Sequence, residues 1–166
     1  MSNQQFLYVT YIATTPEKLW NALTQGKFTE QYWFGTAVES SWAPDSTIKF
    51  RRGGDLIVSG RVIEAKPYSR LSYTWIHEKD GGKFRNEKPS QVTFEIEPMG
   101  ADVKLTVLHD EFEPGSKVFG MISQGWPMVL ASLKSILETG RPLGTAKPTC
   151  GQDLKDMVEE RARGAA

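Results

Sequence analysis

The sequence predicts an α+β fold: a curved antiparallel sheet of about seven strands, two short helices after strand 1, and a long C-terminal helix laid over the sheet. Three observations predict it. A β-rich opening, residues 5–13, leads at once into two short helical patterns. Residues 36–112 then hold about six runs rich in alternating apolar residues, separated by turn compositions. Residues 116–139 carry apolar side chains at spacings of three and four. An antiparallel sheet with one apolar face must be covered, and the long helix is the element with an apolar stripe large enough to cover it. A bent sheet gripping one helix need not close fully, so a hydrophobic cavity is expected between them.

Each element has its own local cause. QFLYVTYIA (5–13) is rich in β-formers. In TTPEKLWNAL, Thr14 and Glu17 have capping-box spacing, while Thr15-Pro16 fits equally as cap and first helical residue. Leu19, Trp20 and Leu23 share a face, so a short amphipathic helix runs to about Gly26. GKFTEQYWF (26–34) reads as a second helix stopped at Gly35. TAVESSW (36–42), TIKFRR (47–52), DLIVSGRVIEAK (55–66), RLSYTWIHE (70–78), SQVTFEIEP (90–98) and DVKLTVLHDEF (102–112) read as strands, with a bend or bulge expected at Gly60. Residues 77–88 make a charged, Gly-containing hairpin tip. In the helix of 116–139, Trp126, Val129, Leu130, Leu133, Ile136 and Leu137 form the stripe, and Gly140 is placed as its cap. Pro127 removes the amide that would bond Ser123, so a kink or broken turn is expected at 123–127. The domain is read as 1–142, with 143–166 a linker and a short helix near 151–163.

The chain has 166 residues, which fits one domain. Twenty Lys+Arg balance twenty Asp+Glu, so nothing advertises nucleic acid as a partner. With 39% hydrophobic residues the chain can fill a core. One cysteine, Cys150, and two histidines, His77 and His109, leave too few soft ligands for a metal site, and no cofactor is expected. The N-terminus lacks the basic and apolar regions of a signal peptide, and no apolar run is long enough to span a membrane. A cytoplasmic protein is expected.

The opening IATTPEKLWNAL, Gly60-x-Val62-x-Glu64, RLSYTW (70–75), VTFEIE (92–97), LTVLHDEF (105–112) and GWPMVLASLKSILETGRP (125–142) together resemble a known family. It is the family of homologues of the activator of the ninety-kilodalton heat-shock protein ATPase, within the START-like (SRPBCC) superfamily. The resemblance covers about residues 5–142. It implies the helix-grip fold of the birch-pollen allergen, with a hydrophobic pocket under the long helix, and no single activity. Co-chaperones of the family carry a separate domain before this one. The first strand here begins near residue 5, so a chaperone partner ranks behind a small hydrophobic molecule or lipid; a homodimer is the other partner considered.

The candidate ligand-binding residues are Trp33, Phe34, Phe50, Tyr73, Trp75, Phe94, His109, Met121, Trp126 and Val129. Trp33 and Phe34 end the second helix, where the mouth of such a cavity would lie; the plain alternative is that they plug the core. Tyr73 and Trp75 share a strand face with Leu71, and Phe50 and Phe94 lie on the strands of 47–52 and 90–98. His109 faces inward with Leu105 and Val107, either satisfied structurally or offering a polar anchor. Met121, Trp126 and Val129 sit on the long helix. The main expectation is a non-enzymatic binding protein holding an apolar or amphipathic molecule. The alternatives are an enzyme of the cyclase, dehydratase or hydrolase kind using Tyr73 and His109, and a protein-interaction module, which requires a contiguous exposed apolar patch.

Overall fold

The computed structural model describes residues 4–78, 84 and 86–144. Its elements are β1 (Phe6–Ile12), α1 (Pro16–Thr24), α2 (Gly26–Tyr32), β2 (Ala37–Glu39), β3 (Thr47–Arg52), β4 (Asp55–Lys66), β5 (Arg70–His77), β6 (Ser90–Met99), β7 (Asp102–Asp110) and α3 (Lys117–Thr139). The strands form one antiparallel sheet in the order β1-β7-β6-β5-β4-β3-β2. This is the α+β architecture expected, with a long helix covering the sheet. No helix among the described residues is long and apolar enough to cross a membrane.

Local chemistry explains the boundaries. Thr15, not Thr14, caps α1: its hydroxyl accepts from the Lys18 amide at 3.2 Å, with Pro16 in the first turn. The second helix stops earlier than the pattern suggested. Trp33 is the cap of α2, and Phe34 and Gly35 follow with φ of 50° and 74°. A left-handed Phe is costly, and the buried Trp33 and the Thr36–Trp33 hydrogen bonds hold the turn. The second expected strand, 36–42, is paired only over β2, and Trp42 beyond it turns left-handed at φ 62°.

Gly60 does mark a bend. A Cβ there would lie 1.8 Å from the Thr74 carbonyl oxygen, so only glycine fits. The β4–β5 ladder lapses beside it, and the Arg61 amide donates to the Thr74 hydroxyl instead, at 2.9 Å. Further bulges fall at Phe50/Arg51 and Val62/Glu64. These curve the sheet.

The expected broken turn in the long helix is not seen. α3 runs unbroken from Lys117 to Thr139 with Pro127 inside it. One main-chain bond is forfeited, and burial of Trp126, Val129, Leu130 and Leu133 against the sheet offsets that loss. Ser116 caps α3 by accepting from the Phe119 amide at 3.1 Å, and Gly140 closes it with φ 80°. The expected helix near 151–163, the rest of the 143–166 segment past Gly144, and half of the hairpin tip at 77–88 lie outside the described residues.

Candidate functional site

Strand alternation delivers one side-chain row after another to the concave face. Leu71, Tyr73 and Trp75 come from β5, Ser90, Val92, Phe94 and Ile96 from β6, and Val103, Leu105, Val107 and His109 from β7; all are buried. α3 lays Val118, Ile122, Trp126, Val129 and Leu133 over them.

The expected hollow is occupied by aromatic rings. Trp33 reaches in from the end of α2 and lies 5.0 Å from Phe50, 5.1 Å from Trp126 and 6.2 Å from Trp75, nearly parallel to the last. Trp75 in turn meets Phe50 and Trp126, and Phe94 meets Trp126 edge-on. These are contact distances for rings. In this conformation Trp33 packs among Phe50, Trp75 and Trp126 in the space between sheet and helix. A surface depression of about 470 Å³ lies elsewhere, at the end of α3, lined by Ser135, Thr139, Arg141, Pro142 and Leu143.

Eight of the ten candidate residues are buried within this core: Trp33, Phe50, Tyr73, Trp75, Phe94, His109, Trp126 and Val129. Phe34 and Met121 are half-buried against its rim. Sequence reasoning missed Tyr32, whose hydroxyl donates to the Ala22 carbonyl at 2.6 Å, and Phe112 and Phe119, which extend the ring cluster beyond His109. It also missed Ser90, although alternation back from Val92 points to it.

His109 is wholly buried and both ring nitrogens are engaged. Trp126 Nε1–H donates to Nδ1 at 3.0 Å. An indole nitrogen can only donate, so Nδ1 is unprotonated and Nε2 carries the proton. Nε2–H then donates to Ser90 Oγ at 2.8 Å, and Ser90 Oγ donates on to the Trp75 carbonyl at 3.5 Å. The chain ties α3 to β7, β6 and β5. Burial holds the imidazole neutral, lowering its pKa to about 3.

Tyr73 does not join this relay. It sits in the same cross-strand row as His109, but Val92 stands between them, two strands or about 10 Å apart at the backbone. Its phenol is held far above the usual range by burial and by the neighbouring Tyr32. Among the described residues no group of His, Cys, Asp and Glu is placed to hold a metal ion.

One polar atom in the chamber has no partner. Trp75 Nε1 is buried and donates to nothing. A buried donor left unpaired costs on the order of 1–3 kcal/mol. The neighbouring indole of Trp126 is satisfied by His109.

The architecture is that of a helix-grip, START-like domain: a curved seven-stranded sheet closed by a C-terminal helix over an aromatic interior. More particularly, the chain belongs to the Activator of Hsp90 ATPase homolog 1-like family, whose model matches residues 13–138. A search of curated proteins found no match. Among solved structures, protein MLL2253 of Mesorhizobium loti is similar at 26% identity, covering 81% of this chain and 96% of that one, with a TM-score of 0.69. The Aha1 dimer of Colwellia psychrerythraea is similar at 20% identity, covering 82% and 98%, with a TM-score of 0.67. The Hsp90 activator PFC0360w of Plasmodium falciparum is similar at 20% identity, covering 80% and 95%, with a TM-score of 0.65.

Proposed function

We propose that the protein is a cytoplasmic binder of a small hydrophobic or amphipathic molecule, taken up between the sheet and α3 when Trp33 swings out of the space it fills. The observation that carries this reading is the unpartnered Trp75 indole N–H. An interior built only for stability would gain by pairing or removing it. A ligand with a hydrogen-bond acceptor, lying where Trp33 now stacks, would satisfy it. Trp33 suits a stopper: it hangs from a strained turn rather than from the body of a helix. Burial of the ligand at roughly 25 cal/mol per Å² supplies the affinity.

The enzyme reading finds little support. His109 spends both nitrogens on structural bonds and stays neutral, and Tyr73 stays protonated, so neither is poised for proton transfer. Activation of a heat-shock protein ATPase is the alternative that the family's name carries. A change in the chaperone's ATPase rate on adding this protein would establish it.

Native mass spectrometry of the purified protein tests the binding reading, together with titration by 1-anilinonaphthalene-8-sulfonate. A small-molecule adduct, or a saturable site strengthened by Trp33→Ala and weakened by Trp75→Phe, is the expected result. No adduct and no saturable site in either form would overturn it.

A further inference from the structure

Three of the seven exposed large apolar side chains among the described residues lie on the outer face of β1. Leu7, Val9 and Tyr11 are 57%, 46% and 52% exposed, at every second position of one strand. β1 is also an edge of the sheet. Edge strands are ordinarily blunted by charge, proline, a bulge or a covering element. β1 has none of the first three: no Asp, Glu, Lys or Arg precedes Glu17, and its seven pairs with β7 run without a register shift.

The fold guards its other open positions. At the opposite edge, Thr29 Oγ1 of α2 accepts from the Val38 amide at 3.0 Å. At the far end of β1, Lys134 Nζ donates to the Tyr11 carbonyl and Glu138 accepts from the Ala13 amide. These two bonds also show which way the strand faces. Main-chain groups of the odd-numbered residues point away from β7, so the N–H and C=O of Leu7 and Val9 lie along the open edge.

We infer that this edge pairs antiparallel with the β1 edge of a second copy of the chain, about a two-fold axis through Val9. The sequence fits itself in that register. Val9 faces Val9 of the partner, and Leu7 faces Tyr11 of the partner, so every outward residue of the seam is apolar. Tyr8 and Thr10 pair on the inner side. Isologous contact demands this kind of self-matching, and an uncharged strand meets its copy without repulsion. The Tyr11 carbonyl has two lone pairs and can keep Lys134 on one of them. The seam is short, so the dimer is weak and concentration-dependent, at the low end of interface sizes.

Sedimentation of the intact chain, Val9→Lys, Val9→Glu and Val9→Thr tests this, with amide hydrogen exchange as a second readout. Position 9 is half-exposed, so these changes leave the fold intact. Wild type and Val9→Thr are expected to dimerise. Val9→Lys and Val9→Glu, which set like charges opposite each other on the axis, are expected to weaken association about ten-fold or more. An equimolar mixture of the two charged variants is expected to dimerise again, as only a Val9–Val9 axis allows. Leu7 and Val9 amides are expected to be slower to exchange in concentrated than in dilute protein. A wild type that stays monomeric overturns the inference. So does a dimer that ignores both charges, or one whose Leu7 and Val9 amides exchange at the dilute rate.

Discussion

The two indoles that meet beneath α3 are 6.1 Å apart and live under opposite rules. Trp126 donates to His109, which donates to Ser90, which donates to Trp75's carbonyl, so every member of that end is paired. The Trp75 indole N–H, at the other end, is buried and pairs with nothing, and Trp33 lies flat beside its ring. The difference teaches how to divide one continuous aromatic core. The satisfied end holds the helix to the sheet. The unsatisfied end, closed by a residue on a strained turn, is the part that the proposed ligand would enter.

Acid gives the largest expected effect, through His109 at the satisfied end. Unfolded, His109 takes a proton near 6.5; folded, it resists until about pH 3. Over that window the unfolded state binds more protons, so stability contributed by neutral His109 is complete above about 6.5 and falls as the pH drops. The loss from this group between pH 7 and 4.5 is about 2–3 kcal/mol. Imidazole NMR checks its origin: the His109 ring should not titrate above pH 5, and a ring titrating near 6.5 would dissolve the contrast.

Removing one indole at a time sharpens it further. Trp126→Phe and Trp75→Phe delete similar volume, but only the first strands His109 Nδ1. In urea unfolding, Trp126→Phe should be less stable than Trp75→Phe by about 1–2 kcal/mol. Equal losses would mean that the relay contributes nothing. The smallest effect is local: Ser90→Thr keeps a hydroxyl on Nε2 and should cost under about 1 kcal/mol, whereas Ser90→Ala should cost more.

Much of the fold was legible because its signals are local. Alternation in SQVTFEIEP and DVKLTVLHDEF assigned the inner faces of β6 and β7 and turned His109 inward, as found. Gly140 ended α3 where a left-handed cap was required. What occupies the space between sheet and helix was not legible. Whether Trp33 lines a mouth or fills it depends on how far the α2 turn reaches across the sheet, and no periodicity encodes that distance. His109's partner was hidden for the same reason, since Trp126 meets it only once α3 has docked. At Pro127 the local cost is real, but tertiary burial on both sides of it carries the helix through without a broken turn.

The most direct test watches the Trp75 N–H itself. The five tryptophans give five indole signals in a nitrogen–proton NMR spectrum. On titration with 1-anilinonaphthalene-8-sulfonate, the Trp33 and Trp75 signals should move together and saturate, with Trp75 shifting toward a hydrogen-bonded position, while Trp126 stays fixed on His109. A Trp75 signal unmoved at saturating probe, or one that moves only as Trp126 breaks away, would contradict the account.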